Sequence, residues 1–554
     1  MNFLERIFAA LRDNRDRVVL QEAWADRTER VTGKQLLAQV ATARAHLRAA
    51  GLQRGERCAV VALNGIRWVA LDLAIMAEGF LKVPMYTRQA PEELVKMMQD
   101  CKASLVVCGD GALRDAVHAH WPAAPAIDLL DDVFAAASTG PPDDTAPADP
   151  LPRTTSDPVA ILYTSGTSGV SKGVVLTVGN LDHMLPCTMQ RIDDLMAGFT
   201  GQERVFHYLP FCFAGSWILL LTSLTRSSLL TMATDLEALP QQMGVAKPHY
   251  FLNVPILLDR MREGIDLKLR RGTRPIRALY TRAVAAWARR QEGRGRAMDG
   301  FWLAVNGSVV GRAVRKKISP NLRALICGSA PLSEDTQLFF EMLGIPVLQV
   351  YGLTETTAIC TMDLPQGQRR AGYVGHAVAG IEMKLGEGDE ILVRGPNIFQ
   401  GYWGRDAETA ACRRDGWFHT GDQGAVDDAG HWRIIGRVKN LIVLSSGHNV
   451  APDPIEERLR QAVPGAQQAV VVGHKRKHLT AIVTGAVTEA DVHAAIQALN
   501  PTLPHYQRVR AHYIQTEPFT VENGFLTANG KLKRQRVLEH LDAAIEAMYS
   551  GSGV

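Results

Sequence analysis

Ile161-Leu-Tyr-Thr-Ser-Gly-Thr-Ser-Gly-Val-Ser-Lys-Gly-Val-Val-Leu-Thr177 is the stretch on which the reading of this chain turns. Residues 159–163 are apolar and predict a buried strand. The strand runs into a loop of Thr, Ser and Gly that carries one lysine, Lys172, and a second apolar run follows at 174–177. Glycines let a backbone come close to a ligand, and small hydroxyls and N–H groups can then wrap a phosphate. The loop is not a Walker A motif. That motif needs G-x-x-x-x-G-K-[ST], whereas Lys172 is preceded by Ser171 and followed by Gly173. The stretch therefore reads as a phosphate cradle of a different kind.

Outward from this loop, the bulk properties set limits. A chain of 554 residues exceeds what one core supports and predicts two or more domains. Hydrophobic residues make up 46% and charged residues 21%, so a large core is available. A net charge of +4 is weak for this length and selects no anionic partner. No basic stripe with interleaved aromatics is present, which speaks against nucleic acid. The Arg-rich segment 270–296 reads as a solvated helical face. Eight cysteines occur without a C-x-x-C pair, as expected of reduced, mostly buried thiols in a cytoplasmic protein, with no metal site built from them. The N-terminus lacks a signal-peptide core. The most apolar segment, 209–233, is interrupted by Arg226 and is too mixed to span a bilayer. Peripheral membrane association stays open, as does the choice between monomer and homodimer.

Short β-rich runs alternate with helical stretches. Residues 58–63, 105–108, 322–327 and 347–350 read as strands, and 68–80 and 334–343 as helices. This alternation predicts an α/β fold with layered, mostly parallel sheets. Residues 138–157 are rich in Pro, Asp, Thr and Ser and read as a linker into the opening motif. A second boundary falls near 437–440. Beyond it come a short strand (441–444), a Gly-containing turn (445–449) and a helix (454–462), enough for one small α+β domain. The expected organisation is an N-terminal domain at 1–436, a hinge at 437–440 and a small mobile C-terminal domain at 441–554.

Five further sequences complete the pattern, in this order: Cys327-Gly-Ser-Ala-Pro-Leu332; Val350-Tyr-Gly-Leu-Thr-Glu-Thr-Thr-Ala358; Gly416-Trp-Phe-His-Thr-Gly-Asp422; Ile435-Gly-Arg-Val-Lys-Asn-Leu-Ile442, running into Ser445-Ser-Gly-His-Asn449; and Leu526-Thr-Ala-Asn-Gly-Lys-Leu-Lys-Arg534. Together with the opening loop they make the chain resemble the adenylate-forming (AMP-binding) superfamily of acyl-CoA synthetases, peptide synthetase adenylation domains and luciferases. The resemblance covers nearly the whole length. Within it, the segment 311–331 and the ending at 523–531 are most similar to long-chain fatty acyl-CoA synthetases.

The resemblance implies ATP, Mg²⁺ and coenzyme A as the small molecules bound, with a carboxylic acid as substrate. It places Thr164, Ser165, Gly166, Thr167, Ser168, Gly169 and Lys172 on the phosphates. Tyr351 and Gly352 would face adenine, with Gly328, Ser329, Ala330 and Pro331 as the opposite wall. Thr354 would hold the α-phosphate, and Glu355, with Thr164, would hold Mg²⁺, since hard carboxylate oxygens suit that ion. Asp422 would accept the ribose hydroxyls, Arg437 would lie near ribose and phosphates, and Lys439 would be the hinge. Lys531 would be the catalytic cation. By residue type alone, Tyr351 reads equally as core, Glu355 as a helix N-terminal acid, Asp422 as turn chemistry and Lys531 as a solvated lysine beside Lys533, Arg534 and Arg536. The chain departs from the family at Phe213, where many members carry a histidine that gates the carboxylate pocket.

Two acceptors fit this pattern: coenzyme A, or the phosphopantetheine of an acyl carrier protein. A non-catalytic binding protein on the same scaffold is disfavoured, because both Glu355 and Lys531 are present.

Overall fold

A computed structural model describes residues 1–24, 26–135, 149–164, 171–291, 293–367, 369–527 and 530–550. The opening strand runs Pro158–Thr164 and pairs antiparallel with Lys172–Thr177, setting Thr164 opposite Lys172. Gly173 is required here, because a Cβ would come within 2.7 Å of the Ile161 side chain. The expected phosphate contacts of Ser165, Gly166, Thr167, Ser168 and Gly169 lie outside the described residues.

This hairpin belongs to a seven-stranded sheet. Its centre is parallel: Leu81–Pro84, Arg57–Val61, Leu105–Cys108 and Ile127–Leu129 lie side by side beyond Pro158–Thr164. A second sheet has nine strands. Six are parallel, in the order Val347–Tyr351, Ala324–Cys327, Tyr250–Asn253, Arg204–His207, Leu229–Ala233 and Val18–Ala23. Strands buried on both faces become continuous apolar runs such as Ala-Leu-Ile-Cys and Leu-Val-Val-Cys, which is why they were legible as strands. Helices Ile66–Ala77 and Ala214–Thr225 pack within the same apolar core and are buried almost all round, and Trp217, Leu220, Leu221 and Leu224 are fully inside. The apolar segment 209–233 is thus core. No helix among the described residues is long and apolar enough to cross a membrane. All eight cysteines are unpaired, and six are buried.

A third sheet is antiparallel, which the sequence pattern did not anticipate. It joins Glu382–Leu385, Glu390–Arg394, Trp417–Val426, Arg413–Arg414 and Trp432–Arg437. Beyond it, Ala466–Val472, Leu479–Gly485 and Val509–Gln515 form a small sheet. Helix Asp453–Ala462 covers it with an apolar core of its own, built from residues between Ile442 and Val509.

Candidate active site

A cavity of about 2070 Å³ opens between the large sheets and the C-terminal region. Strands Ala324–Cys327 and Val347–Tyr351 are parallel neighbours, so the loops after them leave the same sheet edge. Ligands of open α/β sheets bind at such carboxyl ends. Gly328, Ser329, Ala330 and Pro331 from one loop, and Gly352, Thr354 and Glu355 from the other, line the cavity. Two glycines permit this close approach. A Cβ at Gly328 would lie 2.5 Å from the Val350 side chain, and one at Gly352 would lie 2.1 Å from the Ala358 carbonyl oxygen. The chain then turns sharply through Thr354–Thr356, and Thr357 and Ala358 take φ of 52° and 87°. Non-glycine residues held in that region mark a backbone constrained by its surroundings.

Thr164 and Lys172 reach the cavity from the opening hairpin. Lys172 forms an ion pair with Glu408, and its ammonium lies 5.0 Å from the centre of the Tyr402 ring. The Tyr402 hydroxyl in turn donates to Glu355 Oε1 at 2.9 Å. One carboxylate oxygen of Glu355 is thereby oriented by protein, and its chemistry suits a hard cation. The described residues hold no group of three or more His, Cys, Asp or Glu able to bind a metal by themselves. Mg²⁺ is usually held by one or two carboxylates together with substrate phosphates, and Glu355 supplies one carboxylate to the cavity.

Asp422 and Arg437 stand opposite each other on paired strands. Arg437 Nε is 2.7 Å from Asp422 Oδ1, and the Tyr351 hydroxyl donates to Asp422 Oδ2 at 2.7 Å. Burial pushes the Asp422 carboxyl above its ordinary range, while Arg437, Tyr351 and Lys531 pull it back. Tyr351 and Asp422 do not line the cavity themselves; they form the layer behind Arg437, which does.

Lys439 and Lys531 both line the cavity. Burial and then Arg437 hold each ammonium below the usual lysine range; Asp422 and Glu355 oppose this for both. The ammonium of Lys531 makes no hydrogen bond or ion pair among the described residues, so its charge is directed into the cavity. Its backbone is fixed instead: Lys531 N–H donates to the Thr527 hydroxyl at 3.1 Å, and Thr527 N–H donates to the Lys531 carbonyl at 2.8 Å. Arg534, three residues on, is half-buried, pairs with Glu456 at 2.5 Å and donates to the Val471 carbonyl at 3.0 Å. The turn bearing Lys531 is thus bolted to the C-terminal core.

One lobe of the cavity is apolar. Ile192, Ile218, Leu219, Leu252, Ile326 and Ile359 line it. Phe213 stands on this wall as the residue preceding helix Ala214–Thr225, its ring 5.7 Å from that of Tyr86. No imidazole replaces the expected histidine at this position.

Sequence reasoning passed over three features. Tyr402 and Glu408 gave no motif signal. Glu456 and Arg534 become partners only in three dimensions. The third is a buried cluster of Lys82, Asp72 and Trp217. Lys82 and Asp72 form an ion pair at 1% and 3% exposure, and Trp217 Nε1–H donates to Asp72 Oδ2 at 3.1 Å. The Lys82 ammonium sits 3.6 Å from the centre of the Trp217 ring. A lone Asp in an apolar helix and a lone Lys in an apolar strand were the available signal.

This constellation, a cation-rich cavity between a large α/β body and a small C-terminal unit, has counterparts among known proteins. Residues 7–403 match the AMP-binding enzyme family, and residues 439–553 match the AMP-binding enzyme C-terminal domain. The chain belongs to the AMP-binding enzyme family. It is similar to the long-chain-fatty-acid–CoA ligase FadD15 of Mycobacterium tuberculosis, at 29% identity over 99% of this chain and 97% of that protein. It is also similar to the chloroplastic long-chain-fatty-acid–[acyl-carrier-protein] ligase AEE15 of Arabidopsis thaliana, at 25% identity over 97% of this chain and 85% of that protein. Among solved structures, ATP-bound MatB from Rhodopseudomonas palustris aligns with a TM-score of 0.73 at 25% identity, covering 98% of this chain and 99% of that one.

Proposed function

We propose that this chain activates a fatty acid with ATP, forming an acyl-adenylate, and then transfers the acyl group to coenzyme A. The observation that carries the reading is the placement of Lys531, on the C-terminal unit, in the same cavity as Arg437, Glu355 and the glycine-walled loops. Joining a carboxylate to the α-phosphate of ATP builds negative charge on a pentavalent phosphorus and expels pyrophosphate. Preorganised cations aimed at that charge stabilise the transition state. Lys531 and Arg437 supply them at the α-phosphate, and Thr164 and Lys172 steady the departing phosphates. Thr354 would contact the α-phosphate. Glu355 would hold Mg²⁺, which would offset phosphate charge. Gly352 would face adenine across from Gly328, Ser329, Ala330 and Pro331; for Tyr351 to meet adenine and Asp422 to receive the ribose, Arg437, which now stands in front of both, would have to move aside. The apolar lobe supports an acyl chain as substrate, and each methylene buried there contributes about 0.8 kcal/mol.

The second step needs a thiol where Lys531 stands. We place the domain boundary at a hinge, residues 437–440 with Lys439 at its centre, so that residues 441–554 act as a rotating lid. A mobile lid lets one site serve two chemistries. Among the described residues, ion pairs cross the seam. Arg460 lies 3.4 Å from Asp259, and Lys533 lies 3.9 Å from Glu93.

Pyrophosphate release measured over fatty acids of graded length, with mass detection of acyl-CoA, tests the reading. Release stimulated by fatty acids with acyl-CoA formed is expected; no acid-stimulated release from any of them would overturn it. A carrier-protein acceptor is the second reading, favoured by the similarity to the Arabidopsis ligase. Thioester on a holo-carrier protein, with none on free coenzyme A, would select it.

A further inference from the structure

No motif was read in Pro396-Asn-Ile-Phe-Gln-Gly-Tyr-Trp403, yet the fold makes this segment a bridge between two parts of the site. One side of it extends the opening hairpin. Gly401 and Tyr402 pair with Val175 and Val174, and the N–H groups of Gln400 and Trp403 donate to the carbonyls of Val175 and Gly173 at 3.0 and 2.8 Å. The other side grips the turn at Glu355. Asn397 Nδ2 donates to the Thr356 carbonyl at 3.2 Å, and the Thr357 hydroxyl donates to the Asn397 carbonyl at 2.7 Å. Phe399 N–H donates to the Glu355 carbonyl at 2.9 Å. These three bonds hold the turn in place, including the left-handed φ at Thr357. The fourth is of another kind: the Tyr402 hydroxyl donates to a carboxylate oxygen, Glu355 Oε1. A turn needs no bond to a carboxylate in order to fold.

We propose that Tyr402 is a positioning residue whose hydroxyl holds the Glu355 carboxylate in the orientation that receives Mg²⁺. The proposal rests on Glu355 being the metal carboxylate, as read above. A free carboxylate turns about its last side-chain bond. A charge-assisted donor on Oε1 stops that rotation and leaves Oε2 for a cation. Among the described residues, Oε2 has no hydrogen-bond or ion-pair partner of its own. Tyr402 is firmly placed for this task. Its N–H donates to the Thr409 hydroxyl at 2.9 Å, and its ring packs edge-on against Phe399, centres 4.9 Å apart. The same ring meets the Lys172 ammonium, which pairs with Glu408 and not with Glu355. One side chain thus keeps an oppositely charged lysine and glutamate close together without letting them neutralise each other. Both charges stay available, one for the departing phosphates and one for the metal ion.

Calorimetric titration of the full-length protein with α,β-methylene-ATP, which cannot release pyrophosphate, tests this without turnover when repeated at graded Mg²⁺. Tyr402→Phe removes the hydroxyl and keeps the ring. It should raise the Mg²⁺ needed for half-maximal nucleotide binding by roughly tenfold or more, the scale of losing the partner that orients a metal ligand. Nucleotide binding in EDTA should be unchanged, because the ring, the hairpin and Lys172 remain. Glu355→Gln should raise the Mg²⁺ requirement at least as far. Adding Tyr402→Phe to Glu355→Gln should raise it no further, since the hydroxyl acts only through that carboxylate. An unchanged Mg²⁺ requirement in Tyr402→Phe beside a raised one in Glu355→Gln would overturn the role of Tyr402 and leave the metal reading of Glu355 standing. Equal weakening with and without Mg²⁺, or additive effects in the double variant, would also overturn it, marking Tyr402 as a prop for the fold. An unchanged requirement in Glu355→Gln would remove the metal reading itself, and the proposal with it.

Discussion

Two lysines sit in opposite circumstances. Lys82 lies in the core of the large domain, paired with Asp72 and covered by the Trp217 ring. Lys531 lies in the cavity wall, with Arg437 as a repelling neighbour and no side-chain partner among the described residues. Burial lowers the affinity of both for a proton, that of Lys82 to about 8. A lowered proton affinity therefore does not distinguish structure from function here. What distinguishes them is whether the protein itself satisfies the charge. Lys82 is already answered by Asp72, so removing it harms the fold. Lys531 waits for an anion that the protein does not supply, so removing it harms the chemistry.

The comparison can be broken from either side. Lys531→Ala should lower acid-dependent adenylation by roughly a thousandfold, the scale of losing a preorganised charge at the transition state. Thermal unfolding should place its Tm at or above that of the parent, because no ion pair is lost. Lys82→Met should behave in the opposite way. It strands the Asp72 carboxylate in the core and should cost about 3–5 kcal/mol in chemical denaturation, with adenylation per folded molecule preserved. Adding Asp72→Leu should restore all but the ~1 kcal/mol hydrogen bond from Trp217.

Charge state gives a smaller effect. Because the protonated form of Lys531 is the useful one and its pKa is depressed, activity is present at neutral pH and is lost as pH rises through that lowered pKa, below 10.5. Lys531→Arg should remove this alkaline limb from the kcat/KM profile while lowering the neutral rate by roughly tenfold, since a guanidinium stays charged but is shaped differently. The smallest change should come from Arg460→Ala, which loosens the seam at Asp259. A partly exposed pair contributes about 0.2–1 kcal/mol, so adenylation should fall by no more than roughly threefold, and thioester formation from preformed acyl-adenylate should not fall. Stopped-flow assays of each half-reaction would show this.

Much of this was legible in the sequence, and for identifiable reasons. Apolar runs such as 105–108 read as strands because parallel strands are buried on both faces. Gly328 and Gly352 stood out beside Tyr351 and Glu355, and the structure puts all four at one sheet edge, since their strands are parallel neighbours. The pairing of Asp422 with Arg437 was not legible. Each was singled out separately, and only the register of two antiparallel strands joins them. Tyr402 and Glu408 were missed because their partners, Glu355 and Lys172, are remote in sequence and the contacts involve side chains alone. The antiparallel third sheet escaped notice because several of its strands are short and half-exposed, and its ten-residue strand Trp417–Val426 alternates buried with half-buried residues instead of forming an apolar run.

The central claim is that Lys531 serves the first half-reaction from a lid that leaves before the second. It is tested most directly by measuring both half-reactions in Lys531→Ala: fatty-acid-dependent ATP–pyrophosphate exchange, and acyl-CoA formation from supplied acyl-adenylate. Loss of exchange with thioester formation intact is the predicted result. Equal loss of both, or exchange that survives, would contradict it.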